Sequence, residues 1–98
     1  MTNTEATTAR EVVTTDQLRQ GDVIESHGMR LVLDRPIQSS GLDQIVYYTK
    51  ARIDNWDELV TEAALNPSVA FIVNMSRYDQ RWTVQGNSLA HWSRVPRS

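Results

Sequence analysis

The chain has 98 residues, of which 40% are hydrophobic and 22% are charged, and its formal net charge is −2. This length predicts one domain with a modest core, and the small charge gives no overall attraction to nucleic acid or anionic lipid. Because the chain contains no cysteine, disulfides, thiolate nucleophiles and cysteine-based metal sites are excluded.

The first residues predict a tail. Residues 1–11 are rich in threonine and show no apolar periodicity, so we expect a disordered tail followed by a single domain over 12–98. Residues 15–21 end in a glycine and predict one helical turn. Asp22 follows this turn, where we expect its carboxylate to accept backbone N–H bonds.

Most of the remaining chain predicts β-structure. Segments that alternate or are rich in β-branched residues predict strands at 22–27, 29–34, 45–53, 69–75, 81–85 and 91–95. Gly28 separates the first two and predicts a hairpin or a bent strand, and a turn at 78–80 predicts a second hairpin. We expect a loop at 39–43 and a single turn at 86–90.

One amphipathic helix is predicted from Trp56 to about Leu65. Apolar residues recur there at helical spacing, namely Trp56, Leu59, Val60, Ala63 and Ala64. Asn55 is predicted to cap this helix and Asn66-Pro67 to end it, because proline disfavours a helical residue before it.

Two segments resemble those of SH3-like barrels. Leu18-Arg-Gln-Gly-Asp-Val-Ile24 is similar to their Leu-x-x-Gly-Asp-x-Ile entry into the first long strand, and the segment from Trp82 to Val95 resembles their strand, single turn and final strand. With the pattern of elements, this resemblance implies an α+β fold: a small twisted antiparallel sheet or a partly open SH3-like barrel with one amphipathic helix. The acidic and aromatic groove residues of SH3 domains are missing, so the resemblance implies a fold and no ligand.

The arginine-rich composition, the threonine-rich start and the Arg-Trp-Thr-Val-Gln-Gly-Asn-x-Leu-Ala-x-Trp ending also resemble small uncharacterised proteins of actinobacteriophages. That family has no established activity to carry over.

No apolar run approaches the roughly 18 residues that a membrane-spanning helix needs, and no signal peptide is visible. We therefore expect a location in the cytoplasm or in a virus particle.

No catalytic residue, metal site or cofactor is predicted. His27 and His91 are the only side chains that ordinarily titrate near neutral pH. Ser26 precedes His27 on a predicted strand, where neighbouring residues point to opposite faces, so we expect no direct contact between them. Nucleotide-binding glycine loops are missing. The sequence therefore predicts a non-enzymatic protein.

The candidate binding surface lies near the C-terminal end. Trp56 and Trp82 are predicted to be core residues, and at least one of Tyr47 and Tyr48 should lie away from the core. The candidate surface consists of Arg77, Tyr78, Arg81, His91, Trp92 and Arg94. The leading prediction is a protein-interaction module that binds another protein or itself through this surface or a free sheet edge. The alternative is nucleic-acid binding by Arg77, Arg81, Arg94 and Arg97 together with the rings of Tyr78 and Trp92.

Overall fold

The structure is a computed structural model and describes residues 10–41, 43 and 45–96. Seven strands and two α-helices lie within them. The strands are β1 (Glu11–Thr14), β2 (Val23–Ser26), β3 (Met29–Val32), β4 (Gln38–Ser40), β5 (Val46–Ile53), β6 (Arg81–Gly86) and β7 (His91–Arg94), and the helices are α1 (Trp56–Ala63) and α2 (Pro67–Met75). A 3₁₀ turn at Thr15–Gln17 follows β1. The predicted tail lies outside these residues except for Arg10 and Glu11, and Glu11 begins β1.

All seven strands form one open antiparallel sheet. β7 lies between β1 and β2, and β3 joins β2 to the long central strand β5. Arg52 on β5 is paired with Val32 of β3 on one side and with Arg81 of β6 on the other. Within the described part of the chain, β6 pairs with β5 alone and therefore forms an edge of the sheet.

The predicted fold is wrong in two respects. Residues 69–75 form most of α2 instead of a strand, and the sheet has seven strands in an open arrangement, unlike a partly open barrel or small sheet with one helix. Asn66-Pro67, predicted only to end a helix, begins α2: the Asn66 Oδ1 accepts the Ser68 N–H at 3.0 Å, and Pro67 occupies the first turn. A short apolar run fits a buried helix as well as a strand, which is why its type was misassigned.

Other predicted elements are confirmed. The helical turn, the β2–β3 hairpin, the long strand β5, helix α1 and strands β6 and β7 occur close to their predicted positions. β1 was not predicted, and β4 occupies part of the predicted loop.

The helices cover one face of the sheet. The buried core comprises Val13, Leu18, Ile24, Met29, Leu31, Leu33, Ala51, Ile53, Leu59, Val69, Ile72, Val73 and Val84. The buried stripe of α1 is narrower than predicted, because Leu59 is buried and Trp56 and Ala63 pack beside it, whereas Val60 is 47% exposed.

Asn55 joins α1 to the β2–β3 hairpin. Its side chain makes no capping hydrogen bond to the helix, contrary to prediction. Instead its Oδ1 accepts the Arg30 N–H at 2.8 Å and its Nδ2 donates to the Gly28 carbonyl at 2.9 Å. In the described ranges, neither α1 nor α2 has the length and apolar composition to cross a membrane.

Candidate interaction surface

The six predicted site residues fall into two groups. Arg77, Tyr78 and Arg81 surround the turn between α2 and β6, whereas His91, Trp92 and Arg94 lie on β7. Three strands separate β7 from β6 in the sheet. The two groups therefore lie on strands that are not hydrogen-bonded neighbours, although the turn at 87–90 joins the end of β6 to the start of β7.

Arg94 connects three parts of the sheet. It donates to both carboxylate oxygens of Glu11 at 3.2 and 3.4 Å, and to Oδ2 of Asp22 at 3.4 Å. The Asp22 side chain is fully buried and also accepts the Arg19 N–H at 2.8 Å, which confirms its predicted role. Because Arg94 donates hydrogen bonds to Glu11, the pKa of its guanidinium is raised. Arg94 is thus held by carboxylates of its own chain.

Arg81, on β6, is held in the same way. Its Nη1 and Nη2 donate to the two carboxylate oxygens of Asp34, both at 2.9 Å, and Nη1 also donates to the Lys50 carbonyl at 3.3 Å. These hydrogen bonds hold the pKa of Asp34 below its ordinary value and raise the pKa of Arg81. The bidentate pair binds β6 to the segment after β3.

Trp92 is half-buried and packs against the core. Its indole Nε1 donates to the buried Thr15 Oγ1 at 2.8 Å. Gly86 at the end of β6 approaches the same hydroxyl so closely that a Cβ atom would lie 2.8 Å from both Thr15 Oγ1 and Ala90 Cβ. Thr15 therefore contacts both Trp92 and the end of β6, while the neighbouring His91 is exposed.

The outer side of α2 is apolar. Phe71 is 61% exposed, Met75 is 66% exposed and Tyr78 is fully exposed. Their spacing of four and three residues places them along one side of the helix and the turn after it. We call these three residues the α2 stripe. The prediction included Tyr78 alone, because residues 69–75 were assigned to a strand.

A groove runs beside the α2 stripe and ends at the edge of the sheet. Its first part has a volume of about 530 Å³ and is lined by His27, Pro67, Ser68, Phe71, Ile72 and Trp82. Its second part has a volume of about 390 Å³ and is lined by Lys50, Met75, Arg81, Trp82, Thr83 and Gln85. Trp82 lines both parts, and we call the two parts together the α2–β6 groove.

The edge strand β6 directs alternate backbone groups away from the sheet. The hydrogen bond from the Ile53 N–H to the Gln80 carbonyl, 2.9 Å long, sets the phase of the ladder with β5. Residues 81, 83 and 85 therefore point their N–H and C=O groups outward. Asp79 accepts the Arg81 N–H at 3.2 Å, whereas Thr83 and Gln85 lie exposed along the groove.

Ser26 and His27 do make contact, so the expectation of none is wrong. His27 occupies the turn between β2 and β3 with φ of 52°, and its Nδ1 lies 2.9 Å from Ser26 Oγ. This turn conformation brings together two side chains that a continuous strand would separate. The contact fixes the imidazole at the rim of the α2–β6 groove.

Comparison with protein families, with curated proteins and with solved structures finds no match to this chain.

Proposed function

We propose that this chain is a non-enzymatic protein-interaction module that binds its partner in the α2–β6 groove. The observation that carries the proposal is the exposure of Phe71 and Met75 on one side of α2 and of Tyr78 in the turn that follows it. Large apolar side chains grouped on a surface are typical of protein–protein interfaces, in which aromatic residues and methionine are enriched.

The free edge of β6 supports the same proposal. An extended partner segment can pair with the outward backbone groups of Thr83 and Gln85, as in the addition of a strand to a sheet edge. Side chains of the added strand on the helical face would then pack on Trp82 and Met75, which line the groove. Backbone pairing and apolar contacts would thus act on one partner.

The alternative proposal, nucleic-acid binding, has weaker support. It requires guanidinium groups that meet phosphates. Arg81 is paired with Asp34, and Arg94 with Glu11 and Asp22, so a phosphate would compete with these carboxylates for both guanidinium groups. Arg77 has no carboxylate partner among the described residues, and Arg97 lies outside them. We also propose that the chain is encoded by a phage and is located in the host cytoplasm or the virus particle. The resemblance of its sequence to small actinobacteriophage proteins supports this proposal.

Site-specific photo-cross-linking in cells that produce the protein tests this proposal. A benzophenone amino acid replaces Phe71 in one variant and Leu65 in the matched control. Leu65 is 89% exposed and lies outside the groove. We expect protein adducts from position 71 and none from position 65. Equal adducts from both positions, or adducts with nucleic acid instead of protein, would contradict the proposal.

A further inference from the structure

We infer that the occupant of the α2–β6 groove is a second copy of this chain, paired through β6 about a two-fold axis at Thr83. The inference rests on the proposed function and identifies its partner. A two-fold interface brings the same surface of both subunits together, so that surface must be complementary to itself in hydrogen bonding, charge and shape.

The backbone of β6 meets the first requirement. A two-fold axis perpendicular to the sheet at Thr83 places Thr83 opposite the partner's Thr83, and Gln85 opposite the partner's Arg81. The two Thr83 residues exchange N–H···O=C bonds, and each Gln85 N–H donates to the opposite Arg81 carbonyl. The Arg81 N–H keeps its bond to Asp79. The pairing therefore adds four backbone hydrogen bonds without breaking one.

The same axis brings the two α2 stripes together. An axis perpendicular to the sheet leaves both copies of α2 on one face of the joined sheet. Met75 lines the same part of the groove as Thr83 and therefore lies near the axis, where it approaches the partner's Met75. Phe71 lies one helical turn further away on the same side.

Charge does not oppose this contact. Residues 67–75 include no charged side chain, so α2 does not repel its own copy. The cations in the groove have partners in the same chain: Lys50 pairs with Asp79 at 3.2 Å, and Arg81 pairs with Asp34 at 2.9 Å.

The exposed area of the α2 stripe supplies about half of what a standard dimer interface needs from each partner. Since an aromatic side chain can bury about 150 to 250 Å², the exposed parts of the α2 stripe supply roughly 400 Å². The edge of β6 and Trp82 supply further area to the interface. A standard interface buries approximately 800 Å² on each partner. Among the described residues, the other outer strands are less suitable: β4 has only three residues, and in β1 Gln17 Oε1 already accepts the Thr14 N–H at 2.9 Å.

Two variants that introduce opposite charges at Met75 test the dimer. Sedimentation equilibrium of wild-type protein at about 10 to 500 μM should show a mass approaching twice 11.2 kDa. Met75→Glu and Met75→Lys should each remain at 11.2 kDa, because each places like charges across the axis, and an equimolar mixture should dimerise again. Leu65→Glu and Leu65→Lys are matched controls that should dimerise like the wild type. Thermal unfolding of every variant checks that it is folded.

A second pair of variants tests the strand contact. Thr83→Pro removes an outward N–H, which an edge strand tolerates, and should weaken dimerisation at least about 10-fold. Thr83→Val keeps that N–H and should dimerise normally.

The outcomes separate this inference from the proposed function. A wild-type monomer throughout the concentration range overturns the inference, as does a dimer that survives both Met75 substitutions. If the protein is monomeric and position 71 cross-links to a different protein, the proposed function stands and the second copy is rejected. If it is monomeric and position 71 gives no protein adduct, both are rejected.

Discussion

Replacing Arg94 with alanine separates a structural role of this side chain from a binding role. Arg94→Ala removes the cation beside the fully buried carboxylate of Asp22 and the link from β7 to Glu11. Breaking a buried ion pair costs about 3 to 5 kcal/mol. Arg94 is 21% exposed, and Asp22 keeps the hydrogen bond from the Arg19 N–H. We therefore expect a smaller loss, about 2 kcal/mol in the free energy of unfolding.

The assay is thermal unfolding followed by circular dichroism. For a domain of this size, a loss of about 2 kcal/mol lowers Tm by roughly 8 to 16 °C. Arg77→Ala is the control, because Arg77 is exposed and, among the described residues, its side chain donates only to Asn74 Oδ1, at 2.8 Å. It should change the free energy of unfolding by less than about 0.5 kcal/mol. An Arg94→Ala protein that melts with the wild type would refute the structural role and leave this guanidinium available to a ligand.

Leu59→Ala should lower the free energy of unfolding by about 2 to 5 kcal/mol in urea titrations, whereas Val60→Ala on the exposed side of α1 should change it by less than about 0.5 kcal/mol. Gly86→Ala should lower it by about 1 to 3 kcal/mol, because the new Cβ would lie 2.8 Å from two side-chain atoms. Ser88→Ala, in the following turn, should unfold like the wild type. The lowered pKa of Asp34 means that the folded state binds fewer protons than the unfolded state, so its contribution is present above about pH 4 and is lost as the pH falls through the folded pKa. Asp34→Asn should therefore lose less stability than the wild type between about pH 6 and pH 3.

Local patterns predicted the elements whose periodicity is strong. The hairpin around Gly28 and helix α1 occur where alternation and helical spacing indicated them. Helix α2 was missed because Val69, Ile72 and Val73 face the core within a run that is apolar on both sides. Such a run shows neither period clearly. The start signal, Asn66-Pro67, was present but was assigned only to the end of α1.

The candidate surface depended on contacts that a linear pattern does not contain. Arg81 meets Asp34 across 47 residues, and Arg94 meets Asp22 across 72 residues. These carboxylates are distant in sequence, so the arginines were predicted to be available to ligands. Phe71 could be recognised as exposed only once its segment was known to be a helix.

The position of β7 affects how the chain assembles. β7 separates β1 from β2, and Arg94 is in register with both Glu11 and Ile24. β1 and β2 cannot pair with β7 until residues about 70 to 80 positions later in the chain have been synthesised. During translation β2 therefore presents an unpaired edge, and β1 has no sheet to join. Such non-local closure predicts folding in milliseconds to seconds, once residues 91–94 have emerged from the ribosome, with exposure to aggregation before β7 inserts.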